Sequence, residues 1–172
     1  MIRGVVLALL LAGPAMAQNM LAETKRAENT LEGRLVTFTV ETWEDPGAPL
    51  VQARGRTVMV GRGVEFGLEP EGLTVGLDVV PVTVEIGPSR IELSYPRGAG
   101  RFYVARFNGY VLRFETECAL FAAVAVDPAG TTMPVTDIRA EVGALYINVS
   151  GLEYGPEAGL AIDVTVADCP LS

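Results

Sequence analysis

Apolar residues recur with a period of two along most of this chain. In the first such run, Val36, Phe38 and Val40 alternate with Thr37 and Thr39. Further alternating or apolar runs lie at about 64–68, 73–79, 82–86, 91–95, 101–107, 110–116, 118–126, 135–142, 144–149 and 160–167. A period of two places apolar side chains on one face of a β-strand and polar side chains on the other. The pattern therefore predicts an all-β chain of about ten short strands.

Turn-forming segments separate most of these runs: EDPGAP, EPEG, GPS, PRGAG, NG, DPAGTT and GPEAG. Closely spaced turns between short strands are typical of an antiparallel β-sandwich, and a small closed β-barrel is the alternative. We predict a single domain over residues 34–172, preceded by a short helix or lead-in at 18–33. The segment 44–56 is predicted to be a long loop. Pro81 marks a strand edge, a bulge or a strand that changes sheets, because it has no N–H to donate.

The N-terminal residues have the pattern of a secretory signal peptide. Arg3 precedes an uncharged apolar run, and the small residues Ala15 and Ala17 flank Met16 just before Gln18. This pattern predicts cleavage near Ala17, with residues 1–17 as the signal peptide. The apolar run is too short for a transmembrane helix, which needs about 20 residues, and no transmembrane span is predicted. We therefore expect a periplasmic or secreted protein.

The chain has two cysteines, Cys118 and Cys169. In an exported protein two such cysteines most simply form one disulfide, because the compartment is oxidising. Their spacing is unlike the Cys-x-x-Cys of redox-active pairs, so a structural disulfide near the C-terminus is predicted.

The charge balance bears on the class of partner. The chain has 21 acidic and 13 basic residues, a net charge of −8, and removal of Arg3 with the signal peptide makes it more acidic still. An acidic surface repels nucleic-acid phosphates and anionic lipids. We expect no nucleic-acid partner. We expect instead a partner that is an unknown protein, glycan or envelope component.

Several catalytic chemistries are excluded by what the sequence lacks. It contains no histidine, which removes the commonest general base and most zinc and copper sites. No catalytic residue and no cofactor is predicted. Acidic residues at polar positions of alternating runs leave a carboxylate-dependent hydrolase as an alternative, although a solvated outer face is the simpler interpretation. These residues are Glu65, Asp78, Glu85, Glu92, Glu115 and Asp163.

Calcium is the one metal for which the loops offer ligands. Candidate oxygen ligands are Glu44 and Asp45 in one loop, together with Asp127 and Asp137 in later ones. No DxDxDG calcium loop is present, and no other metal is expected.

The segment RFNGYVLRF predicts a β-hairpin. Asn108-Gly109 lies between two alternating runs, and this pair favours the type I′ turn of two-residue hairpins. In the resulting register Phe107 faces Tyr110, so that aromatic rings gather on one face of the hairpin. That face forms either core or a ligand or partner surface. With the Trp at the end of the first strand, the candidates for this surface are Trp43, Tyr103, Phe107, Tyr110 and Phe114.

Three segments carry a resemblance: FNGY at 107–110, Val124–Pro128 and Asn148–Leu152. Together they resemble β-rich modules of secreted bacterial proteins, some of which have C-terminal sorting tails. The resemblance implies a secreted β-sandwich and brings no reaction, cofactor or catalytic residue with it. This chain differs in having two cysteines and in ending ADCPLS.

These observations favour a non-catalytic exported β-sandwich, which acts as a binding or interaction module of the bacterial envelope. A small β-barrel that carries an apolar ligand is the second hypothesis. A carboxylate-dependent hydrolase is the third.

Overall fold

The computed structural model describes residues 29–52, 55–67, 80–115 and 118–169. The predicted signal peptide, residues 18–28 and the predicted strand at 73–79 lie outside this range. Within it the protein is all-β, without a helix. Its strands are β1 (Leu35–Trp43), β2 (Val51–Gln52), β3 (Arg56–Met59), β4 (Val64–Gly67), β5 (Thr83–Ile86), β6 (Arg90–Ser94), β7 (Gly100–Arg101), β8 (Phe107–Phe114), β9 (Ala119–Val126), β10 (Asp137–Glu141), β11 (Ala144–Asn148), β12 (Glu153–Tyr154) and β13 (Gly159–Asp168).

The strands form two main antiparallel sheets that pack as a sandwich. One sheet has the order β10-β11-β8-β1-β2, with β3 also paired to β1. The other has the order β4-β5-β6-β13-β9, and β12 pairs with β7 in a small separate ladder. Both main sheets are open, so the predicted sandwich is confirmed.

The core lies between the inner faces of the two sheets. Val36 and Phe38 of β1 and Leu112 of β8 are buried in the same cluster as Ile91 of β6 and Ile162 of β13. These residues occupy the apolar positions of alternating strands, and removing them from water is the main stabilising contribution to the fold.

The predicted disulfide is present. Cys118 and Cys169 are bonded, and their Cα atoms are 5.3 Å apart. The backbone N–H of Cys169 also donates to the carbonyl oxygen of Cys118 at 3.0 Å. Since Ala119 pairs with Asp168, the bridge fastens the end of the β9–β13 ladder and fixes the last strand of the chain in its sheet.

The predicted Asn108-Gly109 hairpin is wrong. Both residues lie inside β8, where Asn108 pairs with Thr42 and Gly109 with Glu41. β8 is a central strand, since it also pairs with β11 on its other side. Phe107 faces Trp43 rather than Tyr110, and of the predicted strand at 101–107 only Arg101 at the end of β7 and Phe107 at the start of β8 are in strands.

Close packing of two backbones explains why glycine stands at this position. A Cβ atom added to Gly109 would clash with the carbonyl oxygen of Ile147 in β11. Gly109 does not have the positive φ that a type I′ turn requires. Glycine here permits a close approach of strands and does not mark a turn.

Other differences concern short elements. The predicted loop at 44–56 contains β2 and the start of β3, and β12 was not predicted. Pro81 lies just before β5, outside the ladder. The described part of the lead-in, residues 29–33, forms a turn in which Asn29 and Gly33 have positive φ. No helix in the described part of the chain is long and apolar enough to cross a membrane.

Candidate functional site

A pocket lined by aromatic rings opens between the start of β8 and the β7–β12 ladder. Its volume is about 200 Å³. We call it the aromatic pocket, and its lining residues are Val40, Thr42, Val51, Val80, Arg101, Phe102, Tyr103, Asn108, Gly109, Tyr110 and Tyr154. The walls come from β1, β2, β7, β8 and β12, so the fold assembles this site from segments far apart in sequence.

Packed rings hold the pocket wall in place. Tyr110 stacks on Phe38 with ring centroids 5.3 Å apart, and Phe102 meets Tyr110 edge to face at 6.5 Å. The centroid of Phe102 also lies 4.9 Å from that of Tyr154. Tyr95 packs on Phe102 at 5.7 Å from behind. Such offset and edge-to-face contacts stabilise a cluster beyond the area it buries, so the wall is a packed cluster of rings.

Most polar groups of the wall are already hydrogen-bonded within the protein. The Thr42 hydroxyl donates to Oδ1 of Asn108 at 2.9 Å, and Nδ2 of Asn108 donates to the carbonyl oxygen of Tyr103 at 2.8 Å. Both side chains are buried. Because these groups satisfy each other, the inner wall is effectively apolar toward a ligand.

Two buried tyrosine hydroxyls lie behind the rings. The hydroxyls of Tyr95 and Tyr110 are neighbours, and neither makes a hydrogen bond of good geometry to the residues that the structure describes. Burial raises the pKa of Tyr110 well above its ordinary value, and the neighbouring Tyr95 raises it further. Burial likewise raises the pKa of Tyr95. Both phenols therefore stay protonated throughout the physiological range.

Arg101 places a positive charge on the lining of the pocket. Its Nε donates to the carbonyl oxygen of Gly151 at 2.9 Å, which fixes the side chain. Glu153 is its cross-strand partner, yet no described carboxylate forms an ion pair with Arg101. By contrast, Arg113 and Arg139 are paired with Glu41 and Glu141. The guanidinium of Arg101 is thus held by this hydrogen bond, and no carboxylate of the described residues compensates its charge.

The five aromatic residues predicted as a ligand or partner surface lie at three places. Tyr103 and Tyr110 line the aromatic pocket. Trp43 and Phe107 stack at 4.9 Å on the opposite face of the same sheet, where both are buried. Phe114 stacks on Phe121 at 4.8 Å at the other end of β8. The structure therefore brings only two of the five together in one site.

The outer face that holds Trp43 is built from paired charges and rings. Nη2 of Arg113 lies 3.0 Å from Oε1 of Glu41. The guanidinium carbons of Arg113 and Arg139 lie 5.6 and 4.9 Å from the ring centroid of Tyr146. Each of these two arginines has a carboxylate partner, so neither offers an uncompensated charge, and their contacts contribute to the stability of the sheet.

The candidate calcium ligands are occupied by hydrogen bonds of their own. Asp45 accepts from the N–H of Gly47 at 2.9 Å, and Glu44 accepts from the N–H of Arg106 at 3.3 Å. Asp127 binds Arg90 at 2.7 Å, and Asp137 accepts from Nδ2 of Asn148 at 2.8 Å. Across residues 29–52, 55–67, 80–115 and 118–169, no three potential metal ligands lie together.

The four described carboxylates among the hydrolase candidates lie on outer faces. Glu92 and Asp163 both bind the guanidinium of Arg90, at 2.6 and 2.9 Å. Glu85 and Glu115 are exposed. Asp78 and the side chain of Glu65 lie outside the described part of the chain. None of the described carboxylates lines the aromatic pocket.

Comparison with known proteins adds no relative. No protein-family model, curated protein or solved structure matches the chain significantly.

Sequence reasoning missed most of the pocket. Arg101, Phe102 and Tyr154 were not among the candidate residues, although all three line it. Arg101 and Tyr154 belong to two-residue strands, which are too short to show periodicity. Whether Arg101 has an ion-pair partner among the described residues depends on segments distant in sequence, and no local pattern reports it.

Proposed function

We propose that this protein is a non-catalytic, exported binding module of the bacterial envelope, and that it binds its ligand or partner at the aromatic pocket. The observation that carries the proposal is a concave site with walls of packed rings. Ligand sites are typically concave and mostly apolar, with a few polar groups that fix orientation. Thr42 and Asn108 are committed to the protein, whereas Arg101 remains available at the lining.

Exposed apolar side chains next to the lining support a binding role. Tyr103, which lines the pocket, is 58% exposed, and the adjacent Val104 is 68% exposed. Leu50, adjacent to the lining residue Val51, is 51% exposed. Large exposed apolar side chains beside a pocket extend the contact area for a bound group beyond the cavity itself.

The proposed export rests on two observations. The N-terminal sequence has the pattern of a cleaved signal peptide. The chain also contains a disulfide, a bond that persists mainly in oxidising compartments. A periplasmic or secreted location is consistent with both.

Filling the pocket tests this proposal. We propose the substitution Val40→Phe, which places a ring at a half-buried lining position of β1. Val58→Phe is the matched control, because Val58 is a half-buried strand valine that does not line the pocket. Native mass spectrometry of protein purified from its own host is expected to show added mass on the wild type and on Val58→Phe. Val40→Phe is expected to lose it.

Two results would overturn the proposal. One is a wild-type protein free of added mass that also captures nothing from envelope extract above background. The other is a ligand retained equally by Val40→Phe and the wild type. Thermal unfolding of both variants verifies that each is folded.

A further inference from the structure

We propose that the aromatic pocket binds a small arylcarboxylate, a single aromatic ring with a carboxylate on a short linker. This inference rests on the proposed binding function and names the chemical class of its ligand. The ring occupies the space beside Phe102 and Tyr154, and the carboxylate meets the guanidinium of Arg101. No covalent step is involved.

The volume of the pocket limits the size of the ligand. A cavity of about 150 Å³ in another protein is known to admit benzene, and this pocket measures about 200 Å³. It therefore accepts one ring with a short substituent. A long acyl chain or a fused multi-ring ligand exceeds that volume.

The shape of the wall favours a flat ring over an aliphatic group. Phe102 and Tyr154 are tilted by 54° with centroids 4.9 Å apart, and Tyr110 lies edge-on to Phe102 at 89°. Rings presented in different planes allow an inserted ring to make both offset-stacked and edge-to-face contacts.

The charge at the lining favours an anion. Arg101 is held by its Nε bond to Gly151, which leaves its two terminal nitrogens as a fork. Guanidinium forks bind carboxylates with two parallel hydrogen bonds. Glu153 stands opposite Arg101 in the ladder without forming an ion pair with it. The negative charge of Glu153 partly offsets the attraction of Arg101 for a bound carboxylate.

A ligand titration of the mature chain, monitored by amide NMR, tests the proposed chemical class of the ligand. Phenylpropionate is the probe, and phenylpropanol and hexanoate remove its charge and its ring in turn. We expect phenylpropionate to shift the amide signals of Phe102, Gly109 and Tyr154 and to bind at least about tenfold more tightly than either analogue. A peptide that ends in phenylalanine presents the same chemistry from a macromolecule and forms a separate arm. Binding of the free acid, and not of the peptide, identifies a small metabolite as the ligand.

Matched variants test whether Arg101 provides the positive charge that binds the carboxylate of the ligand. Arg101→Gln is expected to weaken phenylpropionate binding about tenfold and to leave phenylpropanol binding unchanged. Arg106→Gln makes the same charge change at an exposed arginine that does not line the pocket, and it is expected to bind like the wild type. Glu153→Gln is expected to bind the acid as tightly as the wild type or more tightly.

The outcomes separate the two proposals. If phenylpropanol binds as tightly as phenylpropionate and Arg101→Gln has no effect, the arylcarboxylate class is wrong while the pocket remains a binding site. If only the peptide binds, the small-molecule assignment is wrong. If no probe shifts a pocket signal but Val40→Phe removes the mass carried from the host, the class is again wrong and the binding function stands.

Discussion

Gly109 of β8 lies directly against the backbone carbonyl of Ile147 in β11, with no room for a side chain between them. The contact is between two backbones, so it cannot be relieved by a change of rotamer. We predict that Gly109→Ala lowers the free energy of unfolding by about 2–3 kcal/mol, as for other overpacked interior sites. Urea denaturation monitored by circular dichroism measures this change.

A second glycine gives the matched control. Gly61 also lacks a positive φ, and the nearest atom to its added Cβ would be the Met59 carbonyl oxygen, 4.0 Å away. Gly61→Ala is expected to change the unfolding free energy by less than about 1 kcal/mol in either direction. Equal effects of the two substitutions would contradict the packing argument.

The Asn-Gly pair shows where local sequence patterns stop being informative. Alternation correctly predicted β1, β6, β9, β11 and β13. In β6 and the second half of β13 buried and exposed residues alternate, whereas in the second half of β1 both faces are largely buried. Alternation failed at 101–116, where β8 lies between β1 and β11. There the glycine reflects contact with a strand almost forty residues later, and the sequence around Gly109 is identical to that of a good hairpin turn.

Asn148 joins two segments that the sequence singled out separately. Its Oδ1 accepts from the N–H groups of Asn108 and Ser150 at 3.2 and 3.1 Å. Its Nδ2 donates to Asp137 and to the carbonyl oxygen of Arg106. Replacement by alanine removes the hydrogen bonds that the Asn148 amide makes to these partners. We therefore predict a loss of about 1–3 kcal/mol of unfolding free energy.

Two further variants define this effect. Asn148→Asp keeps the acceptor toward Asn108 but loses the donor to Asp137 and places two carboxylates together, so it is expected to be destabilising at neutral pH. Gln52→Ala removes an exposed amide whose side chain makes no hydrogen bond to the described residues, and it is expected to change stability by less than about 0.5 kcal/mol. Stability of Asn148→Ala equal to that of the wild type would show that the network contributes nothing.

The candidate site was only partly predictable for a related reason. Tyr103 and Tyr110 stand out as aromatic residues beside the FNGY segment, and both line the pocket. Their significance depends on Tyr154 from a two-residue strand and on Arg101, which lacks an ion-pair partner among the described residues. Proximity of that kind is set by the tertiary arrangement of the sheets. It leaves no periodic signal in the sequence.

Arg90 organises three carboxylates on the outer face of the five-stranded sheet. The hydrogen bond from Arg90 and the N–H of Ala129 lower the pKa of Asp127 below 3.8. A lowered pKa in the folded state stabilises the protein above the ordinary pKa, and this contribution is lost as the pH falls through the folded value. We predict that Arg90→Gln raises the pKa of Asp127 and lowers stability more at neutral pH than in acid. NMR titration of the Asp127 carboxyl, with urea unfolding between about pH 2 and pH 7, measures both.

The exposed pair of Arg139 and Glu141 provides the comparison. Both side chains are about half exposed, and exposed pairs contribute little. Arg139→Gln is expected to change stability by less than about 1 kcal/mol, with little dependence on pH. If Arg90→Gln left the titration of Asp127 unchanged, the network would not be the cause of its lowered pKa.

Tyr95 and Tyr110 predict how the fold responds to alkali. Burial raises the pKa of both phenols above 10.0, so in the folded state they hold their protons where the unfolded chain loses them. The stability associated with them is present below about pH 10 and falls as the pH rises above that value. We predict a shallower fall for Tyr110→Phe. At neutral pH we expect an unfolding free energy equal to that of the wild type or up to about 1 kcal/mol higher, because the buried hydroxyl that is removed makes no hydrogen bond of good geometry to the described residues. Tyr103→Phe, at a residue that is 58% exposed, is the matched control and should follow the wild type.

Urea midpoints on both sides of pH 10, together with tyrosinate absorbance, measure these effects. Ionisation of all five tyrosines near their ordinary pKa in the folded protein would contradict the burial of Tyr95 and Tyr110.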